Sequence, residues 1–206
     1  MKQVAPVRNW PLTPAVTAIL VIDLQRSQAL PERLAAAPEL AAALQGRLLP
    51  AVARLVAGAR AAGCEILYTV TEALTLDGRE RGLDHKLAGT LVPNGSPLAE
   101  TLPETGRQED DLLLRRTSSG VFTATNLDYL LRNLGVRNLV VAGLATDQAV
   151  DMAVRDGADL GYYLVCAADA CAAGTEAQHA QSLRAFGGYC RVQTVEEILA
   201  DIAAAA

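Results

Sequence analysis

The sequence predicts an α/β fold: a single domain over residues 1–206, in which a mainly parallel sheet lies between helices in three α/β/α layers. Three observations lead there. Strand-like and helix-like segments alternate along the chain. Several strand segments are near-continuous apolar runs, such as AILVI at 18–22 and NLVVAGLA at 138–145, the mark of strands covered on both faces. The length of 206 residues suits one domain with a full-sized core.

The elements follow in order. TAILVIDLQ (17–25) reads as a buried strand ending in polar groups. Apolar residues at helical spacing fill 32–62, and LLPAVARLVAGARAAG closes on Gly63 as a helix stop. CEILYTVTEAL (64–74) is a second buried strand. Residues 77–111 are rich in Gly, Pro and charge and read as a long excursion with little regular structure, the kind of loop that tends to be functional. LLLRR (112–116) is a short strand, NLDYLLRNLG (126–135) a helix stopped by Gly135, RNLVVAGLA (137–145) a strand and DQAVDMAVRDGADLG (147–161) a helix. YYLVCAADA (162–170), EAQHAQSLRAFGGY (176–189), CRVQT (190–194) and VEEILADIAAA (195–205) follow as strand, helix, strand and closing helix.

Apolar residues make up 51% of the chain and aromatics only 4%, so an aliphatic core is expected. A net charge of -5 without a clustered Lys/Arg face argues against nucleic acid as a partner. No apolar run nears the roughly 20 residues of a membrane helix. The opening MKQVAPVRNW lacks the apolar stretch of a secretory leader. A soluble cytoplasmic protein with no membrane partner is expected. The four cysteines contain no C-x-x-C pair. Cys64 and Cys166 fall in or beside strands, where a thiol acts as a small hydrophobe, and only Cys171 is a candidate to face a pocket. A disulfide framework is not expected. His85 and His179 lie far apart and without metal-ligand spacing, so they read as surface histidines or as supports behind a site, and no metal is expected.

In open parallel sheets, ligands sit beyond the carboxyl ends of the strands. The polar residues there are Asp23, Gln25, Glu72, Arg115, Arg116, Thr146, Asp147 and Asp169. Asp23 is the sharpest, because a carboxylate closing AILVI is partly buried and needs partners. It reads either as a helix cap or as a general acid or base in a pocket. Arg116 reads either as its salt-link partner or as a solvated strand-end arginine. GLATDQAV (143–150) reads as a strand that stops, turns tightly and feeds a helix. Thr146 or Asp147 suits helix capping there, and the helix N–H groups suit an anion. α/β enzymes often carry a nucleophile on such a turn, yet Ala149 carries none. The sequence has no G-x-S-x-G elbow, no Gly-rich phosphate loop and no H-E-x-x-H.

Taken in order, TAILVIDLQ, TEALTLDGRERGLDHK, RTSSGVFTATNLDYLLRNLGV and VVAGLATDQAVDMAVRDGADLGYYLVCAADAC resemble the isochorismatase-like hydrolase superfamily. They look most like its amidohydrolase branch, which includes biuret, ureidoacrylate and N-carbamoyl-compound hydrolases. The resemblance runs over nearly the whole chain and implies a parallel sheet sandwiched by helices. It also implies an Asp-Lys-Cys triad whose positions here are Asp23, Arg116 and Ala149. It places an oxyanion hole at the backbone N–H groups of Ala145 and Ala149, with a cis peptide at Leu144–Ala145. Gln25, Glu72, Ser119, Phe122, Thr146 and the loop 77–96 would surround the substrate. The segment from Arg26 to Leu49 is shorter than the matching lid of the amidase relatives. The resemblance further implies a small amide or ureide substrate cleaved at a C–N bond, no cofactor, and a homodimer or homotetramer.

Two of the three triad positions depart from that pattern. A thiolate at a helix start beside a cation attacks carbonyls, and an alanine does not. Arginine keeps the lysine's charge but changes its reach and shape. Three explanations stay open: a cysteine replaced by alanine, which traps substrate; a non-thiol member relying on Asp23, as isochorismatases do; or a catalytically silent subunit that binds a ligand or a partner.

Overall fold

The computed structural model describes residues 9–206; residues 1–8, most of the stretch read for a leader, lie outside the described residues. The first half of the chain forms β1 (Thr17–Ile22), α1 (Pro31–Ala36), α2 (Pro38–Ala43), α3 (Leu49–Ala61), β2 (Glu65–Thr71) and α4 (Leu83–Leu87). Then come β3 (Leu112–Arg116), α5 (Val121–Ala124), α6 (Leu127–Asn133), β4 (Asn138–Leu144), α7 (Asp151–Asp159), β5 (Tyr163–Ala172), α8 (Glu176–Phe186), β6 (Cys190–Gln193) and α9 (Val195–Ala204). The six strands form one sheet in the order β3-β2-β1-β4-β5-β6, and every pairing is parallel. The order reverses between β1 and β4, and ligands of open α/β sheets gather at such a switch point.

Alternation along β1 divides the core. Ile19 and Val21 face an apolar layer with Leu48, Val52, Leu55 and Val56 of the α3 region and Ile198 and Ile202 of α9. Ala18, Leu20 and Ile22 face the other layer, with Leu127 and Leu131 of α6, Val154 of α7 and Phe186 of α8. Both central strands are buried along their whole length, which explains their unbroken apolar sequence. Each fully buried Leu, Ile or Val contributes roughly 1.5–3 kcal/mol of burial. The closing helix is set by a capping box: Thr194 Oγ1 accepts from Glu197 N, and the Glu197 carboxylate accepts from Thr194 N at 2.7 Å.

Two expectations need correction. The helix expected over 32–62 is broken at Ala37, whose φ of -135° and ψ of 72° lie outside the helical region. Proline at 38 disfavours the helical conformation for the residue before it. A five-residue π turn, Leu44–Leu48, then links α2 to α3. From Pro38 to Ala61 the chain is 24 residues of helix, long and apolar enough by length and composition to cross a membrane, contrary to the expectation of no such stretch. Half of that window is buried, and the burial is against the sheet, so the apolar composition is that of a core helix.

Candidate active site

β1 delivers Asp23 to the switch point in the left-handed region, at φ 53°. That conformation costs a non-glycine residue of order 1–3 kcal/mol and persists only where its surroundings hold it. The surroundings are specific. Asp23 N donates to Thr69 O at 3.0 Å. Thr69 Oγ1 and Thr71 Oγ1 donate to Asp23 Oδ1 and Oδ2, each at 3.1 Å. The two threonines are two residues apart on β2 and therefore share a face. From the end of β3, Arg116 Nε donates to Oδ1 at 3.1 Å and Nη2 donates to Oδ2, while Nη1 donates to Ser118 O. Asp23 is 3% exposed and Arg116 4%. Burial pushes the Arg116 guanidinium down to about 10, which leaves it charged at neutral pH beside the carboxylate.

β4 comes against the end of β1 at Gly143, paired with Ile22. A Cβ at Gly143 would stand 2.1 Å from Ile22 O, and its φ is 119°, so only glycine fits. The Leu144–Ala145 peptide that follows is cis. The chain then makes one π turn, Thr146–Val150, in which Ala145 O accepts from Gln148 N at 3.0 Å and from Val150 N at 3.2 Å. Ala149 sits on this turn, 2% exposed.

These ends open on a cavity of about 650 Å³. Asp23, Arg116, Leu144, Ala145, Ala149 and Ser119 line it together. Gln25, Glu72, Phe122 and Thr146 do not. Gln25 is fully buried and serves the backbone: its Oε1 accepts from Thr71 N at 2.6 Å and its Nε2 donates to Thr71 O and Leu98 O. Glu72 faces away from Thr71, pairing with Arg115 at 3.0 Å and accepting from Gly95 N. Phe122 stacks on Tyr162. Thr146 is buried with its hydroxyl 2.8 Å from His179 Nδ1.

The cavity is also lined by Asp147, which strand-end reasoning reached, and by Arg33 of α1, Asp84 and His85 of α4 and Gln178, which it did not. Of the two readings of the histidines, at the surface or as supports behind a site, the surface one does not hold: both are buried, each 7% exposed. Burial lowers the proton affinity of each imidazole; the Asp84 charge raises it at His85, and the Arg47 charge lowers it further at His179. The Ser119 hydroxyl, donating to Asp84 Oδ2 at 2.7 Å, holds that carboxyl below its ordinary range. All four cysteines are buried, and none lines the cavity. Contact with Cys171, then burial, pushes the Cys166 thiol well up, and burial pushes Cys64 up to about 11, so neither suits attack at neutral pH.

A parallel sheet with a reversed strand order carries a locked carboxylate–guanidinium pair in a cavity at the reversal, the place where doubly wound α/β proteins hold their ligands. The chain belongs to the isochorismatase family: residues 17–197 match the Isochorismatase domain. It is 32% identical over 197 residues to the Escherichia coli O157:H7 protein named "Uncharacterized isochorismatase family protein YecD", covering 91% of this chain and 97% of that one. It is 29% identical to the ureidoacrylate amidohydrolase RutB of Acinetobacter baylyi, over 78% of this chain and 72% of RutB. The crystal structure of a cysteine hydrolase from Pseudomonas syringae pv. phaseolicola 1448A superposes with a TM-score of 0.86 over 100% of both chains at 24% identity, a likeness of fold.

Proposed function

We propose that the cavity is a hydrolase-type site for a small amide or ureide, and that with alanine at 149 the chain binds such a compound without forming a covalent intermediate. The observation that carries this reading is the gathering of Asp23, Arg116 and Ala149 around one cavity, with all four thiols buried outside it. The similarity to a ureidoacrylate amidohydrolase supports the C–N bond as the target class.

In the cysteine-bearing form, the thiol proton passes to Asp23 and the sulfur attacks the carbonyl carbon. The Ala145 and position 149 N–H groups receive the oxyanion. The C–N bond breaks, and the nitrogen takes the proton back and leaves as ammonia or an amine. Water then hydrolyses the thioester and restores the thiol.

Proton transfer to Asp23, from a thiol or from water, requires one of the hydrogen bonds around it to give way. A carboxylate offers about four acceptor positions. Thr69, Thr71 and the two Arg116 nitrogens fill them. No cofactor or metal enters this reading, nor does nucleic acid or a membrane. A cytoplasmic location and assembly as a homodimer or homotetramer belong to the same proposal; exposed Leu76, Leu83 and Leu87 on the excursion give apolar surface for a second copy.

The test is calorimetric titration of 3-ureidopropionate into this chain, paired with ammonia release by Ala149→Cys. Binding by the first and turnover only by the second is the expected result. Turnover by the unaltered chain overturns the reading.

A further inference from the structure

Thr146 is fully buried and off the cavity wall, and the chemistry above uses neither it nor His179. The two are nonetheless joined. The Thr146 hydroxyl lies 2.8 Å from His179 Nδ1, and both side chains are buried. A hydroxyl both donates and accepts, so either neutral tautomer of the ring makes this bond. Among the described residues it is the one side-chain hydrogen bond made by residues 146–150, the π turn that carries position 149. Inside the turn, Ala145 O accepts from the backbone N–H groups of Gln148 and Val150. Those bonds close the turn on itself, and the Thr146 hydroxyl fastens it to α8, the helix packed against it.

The other end of the bond is itself held. His179 N donates to Thr175 O at 3.0 Å, and Thr175 Oγ1 caps α8 by accepting from Gln178 N at 3.2 Å. Glu176 N donates to Glu39 Oε2 of α2 at 2.9 Å, and the Glu176 carboxylate pairs with Arg47 at 3.0 Å. Arg47 Nη1 in turn donates to Cys171 O at 2.8 Å and to Ala168 O at 3.2 Å, in the second half of β5. The first turn of α8 is thus tied to α2 and to β5, and His179 carries that fixed frame to Thr146. Thr146 follows Ala145 directly and precedes position 149 by three residues. Ala145 and position 149 are the two whose N–H groups receive the oxyanion in the mechanism proposed above. A misplacement of about 1 Å in such a site can cost about a hundredfold in rate.

We infer that His179 is a positioning residue, which through Thr146 sets where position 149 and the N–H groups beside it stand in the cavity. It touches no ligand. The inference rests on the reading of position 149 as a nucleophile's seat, but not on a ureide as the ligand.

The experiment measures alkylation by iodoacetamide in Ala149→Cys, a probe of the thiol's placement that needs no substrate. The unaltered chain, whose four thiols are buried outside the cavity, supplies the background rate. Into the cysteine form go Thr146→Val, which keeps the shape and loses the hydroxyl, Thr146→Ser, which keeps the hydroxyl, His179→Leu, and Thr146→Val with His179→Leu. Thermal melting confirms that each folds. A thiol displaced from the helix start and from the Arg116 charge loses the groups that stabilise its anion, so Thr146→Val and His179→Leu are each expected to slow alkylation by about fivefold or more. The double variant is expected to match the slower single one within about twofold, because both remove the same bond. Thr146→Ser is expected to stay within about twofold of the parent, since its hydroxyl still reaches the ring. A folded Thr146→Val that reacts as fast as the parent, losses that multiply in the double variant, or Thr146→Ser as slow as Thr146→Val overturns the inference and leaves the bond a support of the fold alone. Alkylation of Ala149→Cys no faster than the background overturns the seat reading and this inference with it. Should His179→Leu fail to fold, the comparison of Thr146→Val with Thr146→Ser still decides.

Discussion

Arg116 grips both carboxylate oxygens of Asp23, Nε on Oδ1 at 3.1 Å and Nη2 on Oδ2, at a point where both side chains are about 5% exposed. The pair ties the end of β3 to the end of β1 across β2. A buried ion pair adds little over a well-packed apolar pair, but removing one partner strands the other charge. Arg116→Met is therefore expected to destabilise by about 3–5 kcal/mol. Adding Asp23→Asn should recover a large part of that. Urea unfolding of the two variants checks both, and an additive loss in the double variant would contradict the pairing.

Gly143→Ala places a methyl group 2.1 Å from Ile22 O at a φ of 119°. Backbone strain and overpacking act together here, and a loss of about 3 kcal/mol or more is expected. The contact is with the residue before Asp23, so the variant should also weaken ureide binding. Unfolding midpoints and calorimetry read the two effects; a variant with unchanged stability would refute the close approach of β4 to β1.

Both histidines are held neutral, and the sign of their effect follows. Each has its folded proton affinity lowered from 6.5, first by burial. Between that lowered value and 6.5, the unfolded chain binds protons that the folded chain does not, so stability rises with pH across the window, is lost as the pH falls through it, and levels off below it. Urea midpoints between pH 7 and 5.5 are expected to fall as the pH drops, and His179→Gln to flatten that dependence. A midpoint that rises on acidification would contradict the neutral, buried placement of both rings.

The central strands were legible because burial on both faces leaves an unbroken apolar sequence, as in AILVI and NLVVAGL. Asp23 and Arg116 were legible as polar residues closing such runs. The choice of Glu72 over Thr71 was an error of face: Thr69 and Thr71 alternate toward Asp23, and the next residue points elsewhere. Gln25 lies two residues after Asp23, whose positive φ resets the alternation in a way no strand pattern carries. His85 reaches the cavity through the fold of an excursion whose sequence shows no periodicity, and α4, five residues long, is too short to leave one. The break at Ala37 did have a sequence signal, the proline that follows it.

The arginine at 116 has a consequence for activity. Lysine would bring a point charge with rotatable donors where the guanidinium brings a rigid fork, leaving Asp23 an acceptor position for a thiol proton. The most direct measurement is ammonia release from 3-ureidopropionate and other small primary amides by this chain, Ala149→Cys, Arg116→Lys and the double variant. The account predicts no release without the cysteine, weak release by Ala149→Cys, and at least tenfold more by the double variant. Release by the chain with Ala149 intact would contradict it, and would make Asp23 or His85 the group that activates water.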